Sequence, residues 1–204
     1  MRTKLWGIFF SILFLSSLTA CQTLKFDPSA AELPALSATA PKVAVIINDS
    51  RSTSRVGNVG GLTVKCPSST AVDYMRFNIK KILAESGVNA VYVSDSIQSG
   101  DATQILKIAQ RNNAKGVIFF DLARITGNSF DETISPPDYI SEGLFVAYDA
   151  SGSKTFAEQL SGVHTSRAVM TGAKSEAIQQ SVLMMFSQLR SSSKYDQWIA
   201  GVKR

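Results

Sequence analysis

The run Val43-Ala44-Val45-Ile46-Ile47 carries no polar residue on either of the two faces that a strand would present. Side chains in a strand point alternately to opposite sides, so this run reads as a strand buried on both faces, the kind found inside α/β sheets. A second stretch, Gly116-Val117-Ile118-Phe119-Phe120-Asp121-Leu122-Ala123-Arg124-Ile125, starts equally apolar and passes into alternation. That pattern suits a central strand running out toward one solvated face.

What lies between these runs decides how they pair. Asp49-Ser50-Arg51 ends the first strand, and Ser52 to Gly61 is polar, with Gly57, Gly60 and Gly61, so it is either a mobile loop or a loosely paired hairpin. Ser68, Ser69 or Thr70 can then cap a helix bearing Val72, Met75, Ile79, Ile82 and Leu83 on one face, which Gly87 stops. Ala90-Val91-Tyr92-Val93 is a short second strand, and Asp101 caps a helix carrying Ile105, Leu106, Ile108 and Ala109. Strand and helix alternate here, which points to crossovers and at least partly parallel pairing.

The second half differs. After Pro136-Pro137, the segments Tyr139 to Ala150 and Lys154 to Val169 flank Ser151-Gly152-Ser153 and read as a long β-hairpin. Near its middle, Leu144, Val146 and Tyr148 alternate with Phe145, Ala147 and Asp149, so neither face is strongly polar. Lys174 to Leu189 reads as a helix with Ile178, Val182, Met185, Phe186 and Leu189 inward. A break at Ser191-Ser192-Ser193 leads to a last short helix with Tyr195, Trp198, Ile199 and Val202. Trp198 can pack on the core or dock on a partner or lipid surface. The expected fold is a single α/β (mixed α+β) domain over residues 42–204, with a mixed, partly parallel sheet, a long C-terminal β-hairpin and two to three packing helices.

Length and charge narrow the function classes. The 204 residues suit one ordinary domain plus short extra segments. Net charge is +5, and two of the 21 basic residues, Arg2 and Lys4, stand at the extreme N-terminus. The remaining excess is small and scattered, which argues against nucleic acid, because a phosphate-binding face needs clustered Lys and Arg.

Arg2 and Lys4 precede an uncharged apolar stretch from Leu5 to Leu18, closed by Leu18-Thr19-Ala20-Cys21. A charged start, an apolar run and a small-residue end make a signal peptide over residues 1–20. As a helix the stretch would reach only about 21 Å, short of the roughly 30 Å of a bilayer core, so a permanent transmembrane anchor is disfavoured. Leu, a small residue, Ala and Cys resembles the lipobox of bacterial lipoproteins, in which the Cys thiol takes a diacylglyceryl group and cleavage leaves the Cys amino-terminal. The resemblance implies Cys21 as the lipidation site, with two or more acyl chains giving stable anchoring. By the lipoprotein sorting pattern, Gln22 rather than Asp implies the outer membrane. Residues 21–41 then form a lipidated N-terminus and flexible tether, with Pro28, Pro34 and Pro41 among Ala, Ser and Thr.

With Cys21 consumed by lipid, Cys66 is alone, and no internal disulfide is possible. It reads as a buried or partly buried apolar-like residue beside Pro67, against the alternatives of an intermolecular bridge or a reactive thiol.

Taken together, the lipobox, the Pro-containing tether, the strand ending in Asp49-Ser50-Arg51, the loop, the amphipathic helix, the central strand, the long hairpin, the C-terminal helix and the Trp-bearing tail resemble the YajG-like lipoprotein family. The resemblance implies an outer-membrane lipoprotein with a mixed α/β domain, in a family without an assigned activity.

Catalytic and metal motifs are sparse. His164 is the sole histidine, falls inside the hairpin and has no Ser, Cys or carboxylate partner that spacing can place, so it reads as a strand residue. One His and one spare Cys fall short of zinc spacing. Asp131, Glu132 and Asp138 lack the ordered spacing of a calcium loop and read as a solvated loop. Ser151-Gly152-Ser153-Lys154 matches the Ser-x-x-Lys pattern of penicillin-binding enzymes, but it lies in a hairpin turn instead of opening a helix. Its companions are also absent: Ser94-Asp95 is followed by Ser96, and Lys154-Thr155 by Phe156. The glycines near Gly57 have neither the spacing nor the following helix of a dinucleotide loop, which leaves a flexible loop able to bind a partner.

The expected function is a lipid-anchored, periplasm-facing binding or structural module without catalysis, serving a secretion, flagellar or wall-associated envelope assembly. The competing class is an envelope hydrolase with an unrecognised Ser or Cys site. Expected partners are the membrane, through the lipid on Cys21, and a protein of an envelope complex. No nucleic acid, cofactor, metal or small-molecule substrate is expected.

Overall fold

The computed structural model describes residues 22–24, 33–59, 62–94, 101–127, 138–166 and 171–204. In chain order the strands are β1 (Gln22–Thr23), β2 (Lys42–Asp49), β3 (Arg55–Val59), β4 (Leu62–Lys65), β5 (Asn89–Tyr92), β6 (Gly116–Gly127), β7 (Asp138–Asp149) and β8 (Lys154–Thr165). The helices are α1 (Ser68–Glu85), α2 (Ala102–Arg111), α3 (Thr171–Arg190) and α4 (Ser193–Val202).

The main sheet has five strands in the order β5-β2-β6-β7-β8. The doubly apolar strand β2 sits inside it, parallel to β5 on one side and to β6 on the other. Strands β6, β7 and β8 pair antiparallel, and the two long hairpin strands run in register from Asp138 opposite Thr165 to Ala147 opposite Phe156, with a bulge before Tyr148 opposite Lys154. This is the mixed α+β domain with a partly parallel sheet and a long hairpin that the sequence patterns imply.

Both faces of the sheet are covered. One face sends Val43, Val45, Ile118, Phe120, Leu122, Phe145 and Ala147 into a core shared with α1, α3 and α4. The other sends Ala44, Ile46, Val117, Phe119, Val146 and Tyr148 against Ile105, Ile108 and Ala109 of α2. Each fully buried side chain of this kind contributes about 1.5–3 kcal/mol. The three-helix face is therefore the principal source of stability.

Helix ends follow local chemistry, with one difference from expectation. The N-cap of α1 is Pro67, and none of Ser68, Ser69 or Thr70 caps it through its side chain. Proline serves here because its fixed φ enters the helix at no cost and the first N–H groups have no intrahelical acceptor in any case. At the other end Gly87, with φ +71°, and Val88 donate to the carbonyls of Ala84 and Leu83, a Schellman termination. Helix α2 starts as expected, with the Asp101 side chain accepting from the Gln104 amide at 3.0 Å.

The segment Ser52 to Gly61 takes the paired option: β3 and β4 form a short antiparallel hairpin with a bulge between Arg55 and Gly57. Strand β1 joins it, parallel to β4, with Gln22 opposite Val64 and Thr23 opposite Lys65. Three residues of the span read as a tether are thus seated in the fold. The Leu24 amide donates to the Lys65 carbonyl at 2.9 Å, and the Leu24 side chain is 1% exposed in the larger core. Residues 1–21, and with them the signal segment and Cys21, lie outside the described residues, as do residues 25–32 of the expected tether.

Trp198 packs inward. It is 3% exposed, lies edge-on to Phe156 and donates its indole N–H to the Tyr148 carbonyl at 3.2 Å.

Candidate functional site

Helix α1 crosses the sheet with Met75, Ile79, Ile82 and Leu83 inward. Its outer side is left with Asp73, Arg76, Phe77 and Lys80, and beside it run β1, Leu24 and the end of β5. Together they bound an open groove of about 750 Å³ with Phe77 and Tyr92 as its apolar surfaces, Leu24 buried at its edge, and Thr23, Thr70 and Ser69 as hydroxyl-bearing walls. Grooves of several hundred cubic ångströms with apolar surfaces and a few polar groups are the usual form of a binding site. Arg76 stands over the Tyr92 ring, 5.8 Å from its centroid, and reaches Asp73 at 3.5 Å. The Tyr92 hydroxyl donates to the Arg76 carbonyl, and burial pushes its pKa above the usual phenol range, against the Arg76 charge, which lowers it. The ring therefore stays a neutral hydrogen-bond donor.

A smaller crevice of about 310 Å³ opens at the carboxyl ends of the parallel strands, lined by Ile46, Asn48, Tyr92, Ser94 and Phe119 among others. Nearby, the Asn48 amide donates to Asp121 at 2.8 Å. In open parallel sheets this end is where ligands usually sit.

The same end holds a buried ion pair that spacing alone left unread. Arg51 Nε and Nη2 donate to the Asp49 carboxylate at 2.7 and 2.8 Å, and Nη2 also donates to the Cys66 carbonyl at 3.2 Å. Their side chains are only 4% and 8% exposed. Burial raises the Asp49 pKa, but hydrogen bonds from Arg51 and Ser68 and the Arg51 charge outweigh it and hold the carboxyl below its ordinary value. The pair ties the end of β2 to the end of β4, so its role is to dock the small sheet on the large one. An Asp and an Arg two residues apart at the close of a buried strand were the available signal.

The other residues singled out in the sequence do not converge. Cys66 is fully buried, and desolvation pushes its thiol up to about 11 despite the neighbouring Arg51 charge, so it is neutral and shielded from reagents. His164 is half-buried in β8 opposite Tyr139. Among the described residues no hydrogen bond joins Cys66 to His164. Ser151 and Lys154 lie at the β7–β8 turn, where the Asp149 carboxylate accepts from the Ser151 hydroxyl at 2.5 Å and from the Ser151 and Ser153 amides at 2.9 and 3.1 Å. The hydroxyl is thereby consumed in shaping a turn. Asp138 accepts from the Thr165 hydroxyl at 2.5 Å, while Asp131 and Glu132 lie outside the described residues. Among the described residues no three His, Cys, Asp or Glu side chains gather as metal ligands, and no helix is long and apolar enough to cross a membrane.

No protein-family model matches the chain, and no curated protein matches it. Solved structures do. Protein XCC0632 of Xanthomonas campestris, assigned to the family model DUF330, superposes with TM-score 0.51 at 10% identity over 90% of this chain and 97% of that one. Lipoprotein GNA1162 of Neisseria meningitidis gives 0.47 at 11% identity over 74% and 99%, and a minor lipoprotein of Acinetobacter baumannii gives 0.39 at 13% over 78% and 95%. At such identity the first likeness is one of fold alone.

Proposed function

We propose that this chain is a lipoprotein of the bacterial outer membrane, facing the periplasm, that acts as a non-catalytic binding or structural module of an envelope assembly. One observation carries the reading: Leu18-Thr19-Ala20-Cys21 closes a charged-then-apolar leader too short to span a bilayer. The lipid on Cys21 holds the domain at the membrane, and the assembly is one of secretion, flagellar or wall-associated type. The order of elements, with the seated hairpin and the Trp-bearing tail, supports the resemblance to YajG-like lipoproteins. A module of this kind works through surfaces, and the α1 groove is a surface with both apolar and charged character. Against the hydrolase alternative stand the two candidates singled out among the described residues: Cys66 is buried and protonated, and Ser151 is held in a turn.

The test is fractionation of envelopes from cells producing the chain with and without Cys21→Ala. The unaltered chain is expected in the outer-membrane fraction with an acyl label, and the variant without either. A variant that keeps its label and its fraction overturns the reading.

A further inference from the structure

An anchor on Cys21 constrains more than location, because the chain directly after it is already part of the fold. Gln22 and Thr23 pair with Val64 and Lys65, and Leu24 is sealed in the core. Consecutive Cα atoms are about 3.8 Å apart, so Cys21 is one such step from Gln22, which is paired in the small sheet. The leash between lipid and domain is a single peptide unit, not twenty residues. A lipid inserted in a bilayer must then bring the β1 edge to the headgroups.

What else lies at that edge follows from the groove. Thr23 and Leu24 line it together with Arg76, Phe77, Lys80 and Tyr92. Lys80 and Lys65 are exposed, and Lys65 is the register partner of Thr23. Asp73 is the acidic member of the groove, and it is met by Arg76 at 3.5 Å. Among the described residues no carboxylate pairs with either lysine, which leaves positive charge next to an aromatic, half-buried wall. That combination suits a surface of anionic phospholipid, whose phosphates attract Lys and Arg while aromatic rings settle at headgroup level.

We infer that the α1 groove and the β1–β4 edge form a membrane-facing surface, docked on the anionic phospholipid into which the Cys21 lipid inserts. This rests on the lipoprotein reading above and fixes the orientation of the domain within it. The β7–β8 turn points away, since its Gly152 packs against Ala102 and Leu106 of α2 on the other face of the sheet.

The experiment uses the lipidated full-length product in lipid nanodiscs, either of phosphatidylethanolamine with phosphatidylglycerol or of uncharged phosphatidylcholine, with pulsed lysine acetylation read by mass spectrometry. Lys65 and Lys80 should be acetylated at least threefold more slowly in the anionic discs, with Lys154 at the distal turn unchanged. The difference should collapse in high salt, which screens exposed charges. In a Lys80→Glu variant the protection of Lys65 should fall. Equal rates for Lys65 and Lys80 in the two discs, or selective protection of Lys154, overturn the orientation while leaving the anchor intact. A product without acyl mass on Cys21 overturns the anchor and the orientation together, and the intact mass reads this separately.

Discussion

At the scale of single residues, the decisive pair is Asp49 with Arg51. Spacing showed a strand ending at Asp49-Ser50-Arg51, but not that both side chains turn inward, because the groups that meet them, the Cys66 carbonyl after β4 and Ser68 of α1, come from elsewhere in the chain. Removing one partner of a buried pair strands the other, at a cost of about 3 kcal/mol or more. Asp49→Ala should therefore lower the urea midpoint at neutral pH. The native Asp49 pKa lies below its unfolded value, so its contribution is present above the ordinary carboxylate range near pH 4 and is lost as pH falls through the native pKa. The gap between wild type and variant should narrow in acid; a gap that stays constant down to pH 2 would contradict the role given to the pair. Cys66 belongs at this scale too. Its neutral, fully buried thiol should resist a thiol reagent at pH 8 until the chain unfolds, whereas rapid labelling of the folded protein would revive the reactive-cysteine alternative.

At the scale of elements, strands and helices were largely legible because burial on both faces, 3.6-residue stripes and Gly87 leave direct marks on the sequence. The exceptions have identifiable causes. Strand β1 was hidden inside a Pro- and Ser-containing stretch: two residues are too few for any period to show, and the pairing partner Val64-Lys65 lies some forty residues away. The outer groove was hidden because Phe77 falls off the Met75–Ile79–Ile82 stripe, and its neighbours Tyr92 and Leu24 come from other elements. Gly162 shows a constraint that only packing reveals, since a Cβ there would overlap the Ser181 carbonyl and the Met185 amide where α3 crosses β8. Seating β1 fixes backbone at about 1–2 kcal/mol per residue, which burial of Leu24 and the β4 hydrogen bonds can only just offset. Leu24→Ala should release the segment while leaving the main sheet folded. Hydrogen exchange should show the Leu24 amide losing protection with Phe120 and Phe145 unchanged; protection retained at Leu24 would mean that the side chain is not what holds it.

At the scale of the whole molecule, layering places three helices on one face and one on the other, with the small sheet and its preceding residue at the edge of the α1 groove. The shape of the domain was legible in the chain, and the seating of β1 was not. With Leu24 buried, the proposed tether shortens to one peptide unit, and the proposed anchor would orient the domain rather than let it swing. The proposed role depends on the chemistry of Cys21. The most direct measurement is mass spectrometry of the N-terminal peptide of the chain isolated from envelopes. The account predicts a peptide beginning at Cys21 and carrying a diacylglyceryl group with a further acyl chain on its amine. A peptide beginning elsewhere, or Cys21 with a free thiol, would contradict it.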